Sequence, residues 1–226
     1  MTHTRLVPGL ALALLVGCTT PAPPAPVTRP EPAALTAGIV WWPADPGDPM
    51  HAFGSQLEEC LTARIRDVAP EIVVLPQRVV RDALFPLLEP GTQPATEAAF
   101  AALLARKDVH ARLVQHGLRH LIAFAGGTLL AKPHNFILCG AGPGGGGCFG
   151  FAWQGETTAL DAALWFLGDG PSLQRKAATV EGTTLIPAFV LPIPIPARTK
   201  AEACRELGTR IATAIRQMAA ERAGTP

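Results

Sequence analysis

Apolar residues in this 226-residue chain keep a helical spacing through its first half, lose it for about seventy residues, and recover it at the carboxyl end. That pattern restricts the fold to helices combined with a sheet. Gly38 to Trp42 is a β-branched and aromatic run ended by Pro43, and it predicts a first strand. From His51 to Val68, the residues Phe53, Leu57, Leu61, Ile65 and Val68 recur every three to four positions, which predicts an amphipathic helix stopped by Pro70. Ile72 to Leu75 reads as a second strand and Gln77 to Phe85 as a short helix. Gly91 to Pro94 breaks the chain before Thr96, which is placed to cap a helix bearing Phe100, Leu103 and Leu104. Asp108 opens one or two further turns ending at His116, where Gly117 takes the left-handed stop. A third strand, His120 to Ala125, ends at Gly126 and Gly127.

The second half alternates instead. Phe149 to Trp153, Thr157 to Leu167 and Leu173 to Val180 are strand-like, and Gly168-Asp169-Gly170-Pro171 supplies turn chemistry between the last two. Prolines 187, 192, 194 and 196 bar Leu185 to Pro196 from a central strand by removing ladder donors. Thr199 opens a long helix, with Glu202 completing a capping box and Cys204, Leu207, Ile211, Ile215 and Met218 on one face. The fold class is therefore α/β: a mixed sheet with two βα units, an antiparallel meander and a long carboxy-terminal helix packed on one face. Residues 36–222 form a single domain and residues 223–226 a disordered tail.

The amino terminus sets the address. Leu6 to Gly17 is an apolar run behind Arg5, too short to span a bilayer, and it reads as a secretory signal. Its end, Leu15-Val16-Gly17-Cys18, resembles a bacterial lipobox. The resemblance implies removal of residues 1–17 and acylation of Cys18, so the chain meets a membrane through a lipid anchor. Thr19 follows in place of the aspartate that retains such proteins at the inner membrane, which favours the outer membrane with the domain facing the periplasm. Thr19 to Ala34 contains six prolines and no large apolar residue, so residues 18–35 form a semi-stiff tether reaching roughly 50 Å. About 209 residues remain, enough for one domain with a sizeable core.

The order of a lipoprotein signal, βαβ, the segment Gly117-Leu118-Arg119-His120-Leu121-Ile122, a pair of long strands and a last helix resembles a group of periplasmic lipoprotein domains. These are the domains related to the amino-terminal domain of TolB, the curli-secretion lipoprotein and the penicillin-binding-protein activator lipoproteins. The likeness covers residues 36 to 221 and implies that the long-strand pair carries a ligand or partner face. The chain departs from the group in its Cys139 to Cys148 glycine loop and in the proline-laden segment before the last helix. It also lacks long amphipathic insertions, so the pore of the curli-secretion relative is not carried over.

Four cysteines besides Cys18 suit an oxidising compartment and permit three complete pairings. Cys139 with Cys148, stapling the glycine loop, and Cys60 with Cys204, joining two helices, are the favoured pairs. Closing these loops stabilises by at most about 2.5 and about 5 kcal/mol, respectively, in the chain-entropy account. No Cys-x-x-Cys pair points to a metal, and the glycine run 140–147 leads into a strand-like segment rather than the helix a phosphate loop needs. No cofactor is expected. His116 and His120 are separated by Gly117, and neither serine sits in a nucleophile elbow.

With 19 basic and 18 acidic residues and no basic stripe, a nucleic-acid partner is excluded. The stiff, greasy segment with Ile186, Pro192, Ile193, Pro194 and Ile195 is a candidate surface for a protein partner in the envelope, extended by Trp41, Trp42 and Trp153. Its plainer role is a strap along a sheet edge. The leading expectation is a lipid-anchored, non-enzymatic binding or scaffolding domain. The alternative is a periplasmic enzyme acting on cell-wall or small-molecule substrates, with His51 or His120 beside Asp45, Asp48 or Asp161. A subunit of a lipoprotein ring is a third possibility.

Overall fold

A computed structural model describes residues 35–42, 51–89, 91–143, 145–168, 172–188 and 194–223. The signal, the lipobox cysteine and most of the tether lie outside the described residues. The order is β1 (Leu35–Trp41), α1 (His51–Val68), β2 (Ile72–Leu75), α2 (Gln77–Ala83), α3 (Glu97–Leu104), α4 (Lys107–Gln115), β3 (His120–Leu130), β4 (His134–Gly142), β5 (Gly145–Phe166), β6 (Ser172–Ala188) and α5 (Thr199–Ala223). The strands make one mixed sheet. β1 lies between β2 and β3 in parallel, and β3, β4 and β6 all run antiparallel to β5. The mixed α/β class holds, with α5 packed on the sheet.

Helices cover both faces. On one, Leu57, Leu61 and Ile65 of α1 and Leu207, Ile211 and Ile215 of α5 close over Ile39, Ile122, Phe124, Leu160 and Leu164. On the other, Phe100, Leu104, Val109 and Leu113 of α3 and α4 close over Val40, Leu121 and Trp165. The elements before β3 follow the expected spacing because each is specified locally. Thr96 caps α3 by accepting from the Ala99 amide at 3.2 Å, and Gly117 takes the left-handed turn at φ +81°. Asp108 lies inside the first turn of α4 rather than at its cap, which is Arg106. A relay fixes the corner between α1, α2 and β1: Glu58 accepts from the Gln77 amide and the Gln77 side chain accepts from the Trp41 amide, both at 2.9 Å.

The long strands differ from expectation. β3 does not stop at Ala125 but runs to Leu130, and residues expected as a glycine loop form β4 and the start of β5. β5 is a single 22-residue strand, about 70 Å long at the usual rise. β3 pairs with its residues 156–166 and β4 with 145–153, while β6 pairs with 150–166 along the opposite edge. So β3 and β4 lie end to end on one edge of β5, and the far half of the ribbon extends beyond the helices. β6 runs past Val180 through Pro187 to Ala188, and it does so as an edge strand, which needs no donor on its open side and so agrees with the bar on a central strand there.

The capping box at Thr199 does not form either. Thr199 is the first helical residue, and its hydroxyl donates to Glu156 at 2.6 Å and accepts from Thr158 at 3.0 Å. Thr158 is in turn 3.0 Å from Thr128. This buried chain of hydroxyls ties the start of α5 across β5 to β3, and it satisfies polar groups that burial would otherwise leave costly.

Cys60 and Cys204 are bonded, joining α1 to α5 across 144 residues of sequence. Reduction, or the pair Cys60→Ser and Cys204→Ser, is expected to lower stability by up to about 5 kcal/mol, read as a fall in the urea midpoint. Gly126, at φ +146°, faces the β5 backbone so closely that an added Cβ would lie 2.3 Å from the Ala159 carbonyl oxygen. Gly126→Ala is expected to cost about 1–3 kcal/mol in the same measurement, because backbone rather than a mobile side chain must shift.

Candidate functional site

Strand register assigns every ribbon side chain to a face. Odd positions of β3, β5 and β6 and even positions of β4 share the side of α2–α4. That helical layer buries Trp165 but leaves Asp161 exposed, and from Asp161 outward the side chains on this side are exposed or only half-buried. Asp161 faces away from Leu160, Ala162 and Leu164, as alternation predicts.

Two features occupy this uncovered face. The first is a crevice of about 360 Å³ floored by Ala125 and Ala163 and walled by Trp42 and Trp165. Alanines on the floor leave the space that larger side chains would fill. Asp161 stands at its mouth beside the bidentate pair of Arg175 with Glu97. The crevice sits just past the carboxyl end of β1 and over the middle of β3, two neighbouring parallel strands whose connecting helices lie on opposite faces, α1 on one and α2–α4 on the other. That is the position at which open α/β sheets most often receive a ligand.

The second feature is the outer ribbon. Phe136, Leu138, Phe149 and Phe151 all project on this face at more than half exposure, joined by half-buried Trp153 and by exposed Leu129 and Leu185. Phe151 stacks on Trp153 at 5.4 Å between ring centroids, and Trp153 stacks on His134 at 5.4 Å. Phe136 lies 6.4 Å from Phe151 across the strands. On the opposite face β5 contributes the small residues Ala152, Gly150 and Gly146, at positions paired with Asn135, Ile137 and Ala141 of β4. Cys139 is disulfide-bonded and sits opposite Cys148 in the β4–β5 register; the Cys148 side chain lies outside the described residues.

Of the surface expected at Ile186 to Ile195, Ile186 is half-buried and Pro194 and Ile195 are exposed, while Pro192 and Ile193 lie outside the described residues. Ile195 exchanges two backbone hydrogen bonds with Leu185, at 3.0 and 2.7 Å, so this segment does lie along the β6 edge. Trp41 does not extend any surface. It is buried against Phe124, because odd positions of β1 face α1 and α5. Trp42 reaches the crevice and Trp153 the ribbon. Alternation from Phe149 to Trp153 was visible in the sequence, but which face those rings join depends on a register set by β6, thirty and more residues away.

Of the expected acid–base partners, His120 and Asp161 are not brought together. His120 and Asp161 lie on opposite faces of the sheet, and Asp45, Asp48 and the His51 side chain lie outside the described residues. His110 contacts the Leu167 carbonyl at 2.8 Å. His120 is buried against Phe166, with no hydrogen-bond partner at either ring nitrogen among the described residues. Burial pushes its pKa down to about 4, helped by the charges of Arg222 and Arg119 and opposed by the Thr36 backbone. Among the described residues, no group of three or more histidine, cysteine or acidic side chains is arranged to hold a metal, and no helix is long and apolar enough to cross a membrane. No protein-family model matches the chain, and no curated protein matches it in sequence.

The depressed pKa of His120 has a stability consequence. Below pH 6.5 the unfolded chain takes up a proton that the folded chain refuses until about pH 4. Stability is therefore expected to fall as pH drops through that window, by about 3 kcal/mol in all, and to level off below it. His120→Phe should flatten this slope in urea titrations between pH 7 and pH 4.

Proposed function

We propose that this chain is a lipid-anchored cell-envelope protein that holds another envelope component on the uncovered face of its sheet, without chemistry of its own. The anchor is Cys18, in a segment that resembles a lipobox, and the domain faces the periplasm from the outer membrane. The observation that carries the reading is the crevice between α3 and the β5–β6 ribbon. Its small-residue floor and aromatic walls suit an apolar side chain or segment of a protein partner, and Asp161 with the Arg175–Glu97 pair supplies a polar rim.

The test places a photo-reactive amino acid at Ala177, on the crevice side, and at Arg205, on the solvent face of α5, in cells making the full chain. Adducts are expected from the first position only, in the membrane fraction, with mass spectrometry finding acyl chains on Cys18. Equal adducts from both positions, or an unmodified cysteine in an intact amino terminus, would overturn the reading.

A further inference from the structure

The segment 133–155 contains no aspartate, glutamate, lysine or arginine, although such residues make up 16% of the chain. Lys132 and Glu156 bound the gap. It coincides with β4 and the outer part of β5, the half of the ribbon that projects past the helices, and its apolar bulk is gathered on one face. We infer that this face docks on the lipid bilayer itself, giving the molecule a second membrane contact beyond its proposed lipid anchor.

Three observations favour lipid over a protein surface. A protein interface keeps a polar, charged rim around its apolar centre, whereas here twenty-three consecutive residues lack a charged side chain. The stacked pair His134 and Trp153 sits at the inner end of the patch, next to the flanking charges, where amphipathic rings favour the boundary between hydrocarbon and water. The bulky rings Phe136, Phe149 and Phe151 lie farther out on the same face, so the aromatic bulk of the ribbon is on one side of its thickness.

The same geometry fixes how deep it goes. The outer edge of β4 has no strand partner among the described residues, and unpaired backbone groups are not tolerated in hydrocarbon. The ribbon therefore lies in the interface with its rings down, rather than crossing the bilayer. With no cation in the patch, docking needs no anionic headgroup. An acylated cysteine retains the protein at the membrane without orienting it, and a second apolar contact fixes the orientation.

This inference rests on the membrane address of the proposed function, and the experiment separates the two. The full lipidated chain is reconstituted into phosphatidylcholine vesicles carrying acyl chains brominated near the headgroup, and tryptophan emission is compared with that of Trp153→Phe. The expected result is quenching that Trp153→Phe loses and Trp42→Phe keeps, because Trp41 and Trp165 are buried in the core and half-buried Trp42 packs on Phe100 at the crevice, away from the outer ribbon. The variant Phe149→Ser with Phe151→Ser should lose it too, while still floating with the vesicles through Cys18 and keeping the Cys60–Cys204 bond and its far-ultraviolet dichroism. Leu138→Ser, at a single exposed site, should weaken the quenching without touching the aromatic stack. Unquenched Trp153 in protein that floats would overturn the inference and leave the anchor standing. So would quenching that appears only on phosphatidylglycerol vesicles at low salt, or shielding of Trp153 that accompanies a doubled mass in detergent. Protein that fails to float but is quenched when mixed with vesicles would instead remove the anchor and keep the docking face.

Discussion

Pairing of β5 along both of its edges is the constraint on which the rest of the structure depends. Its inner half, residues 156–166, is held by β3 on one side and β6 on the other, and carries Leu160, Ala162 and Leu164 into the core beneath α1 and α5. Its outer half is held by β4 and the end of β6. Backbone hydrogen bonds alone therefore carry the sheet well past the last packed helix. Helix-covered and helix-free regions share one continuous strand, so the position of the outer ribbon is set by the same ladder that sets the core.

The two faces of the sheet are finished differently. The side under α1 and α5 is sealed by a 25-residue helix, by the Cys60–Cys204 bond and by the hydroxyl chain from Thr128 through Thr158 to Thr199. The side under α2–α4 is covered by three short helices that end at Trp165, and the crevice and the aromatic rings follow in sequence along the same face. His120 shows the cost of sealing the first side. Its ring is buried beside Phe166, with no hydrogen-bond partner at either ring nitrogen among the described residues, and it stays neutral because burial, helped by the charges of Arg222 and Arg119, disfavours its cation.

Most of the inner fold was legible in the sequence, and the outer ribbon was not, for a physical reason. α1 and β2 announce themselves through side chains, by a 3.6-residue spacing and a β-branched run with Pro70 between them. β4 and the beginning of β5 contain Gly140, Gly142, Gly145, Gly146 and Gly147, residues without a Cβ, so alternation leaves little trace there. A strand built on glycine is specified by its partner strand and not by its own propensity. Thr96 and Thr199 make the same contrast among caps. Thr96 bonds an amide three residues on, as the local pattern states, while the hydroxyl of Thr199 is taken by Glu156 and Thr158, more than forty residues away. The crevice was similarly hidden, since Trp42, Asp161 and Arg175 meet only through the register of four strands, β1, β3, β5 and β6.

A glycine-rich strand pair closed by a disulfide at Cys139 needs little from its side chains in order to hold its shape. Phe136, Leu138, Phe149 and Phe151 stay more than half exposed all the same, and in water each leaves apolar surface that folding gains nothing by exposing. Serine or threonine there would serve the ladder as well and dissolve better. The strap at Ile195 bears this out from the other side: it covers the β6 edge beside Leu185, where unpaired backbone would invite aggregation, yet it leaves the aromatic face open. The strap thus guards the β6 edge without covering the rings, and it is the exposed rings that a contact outside the molecule would account for.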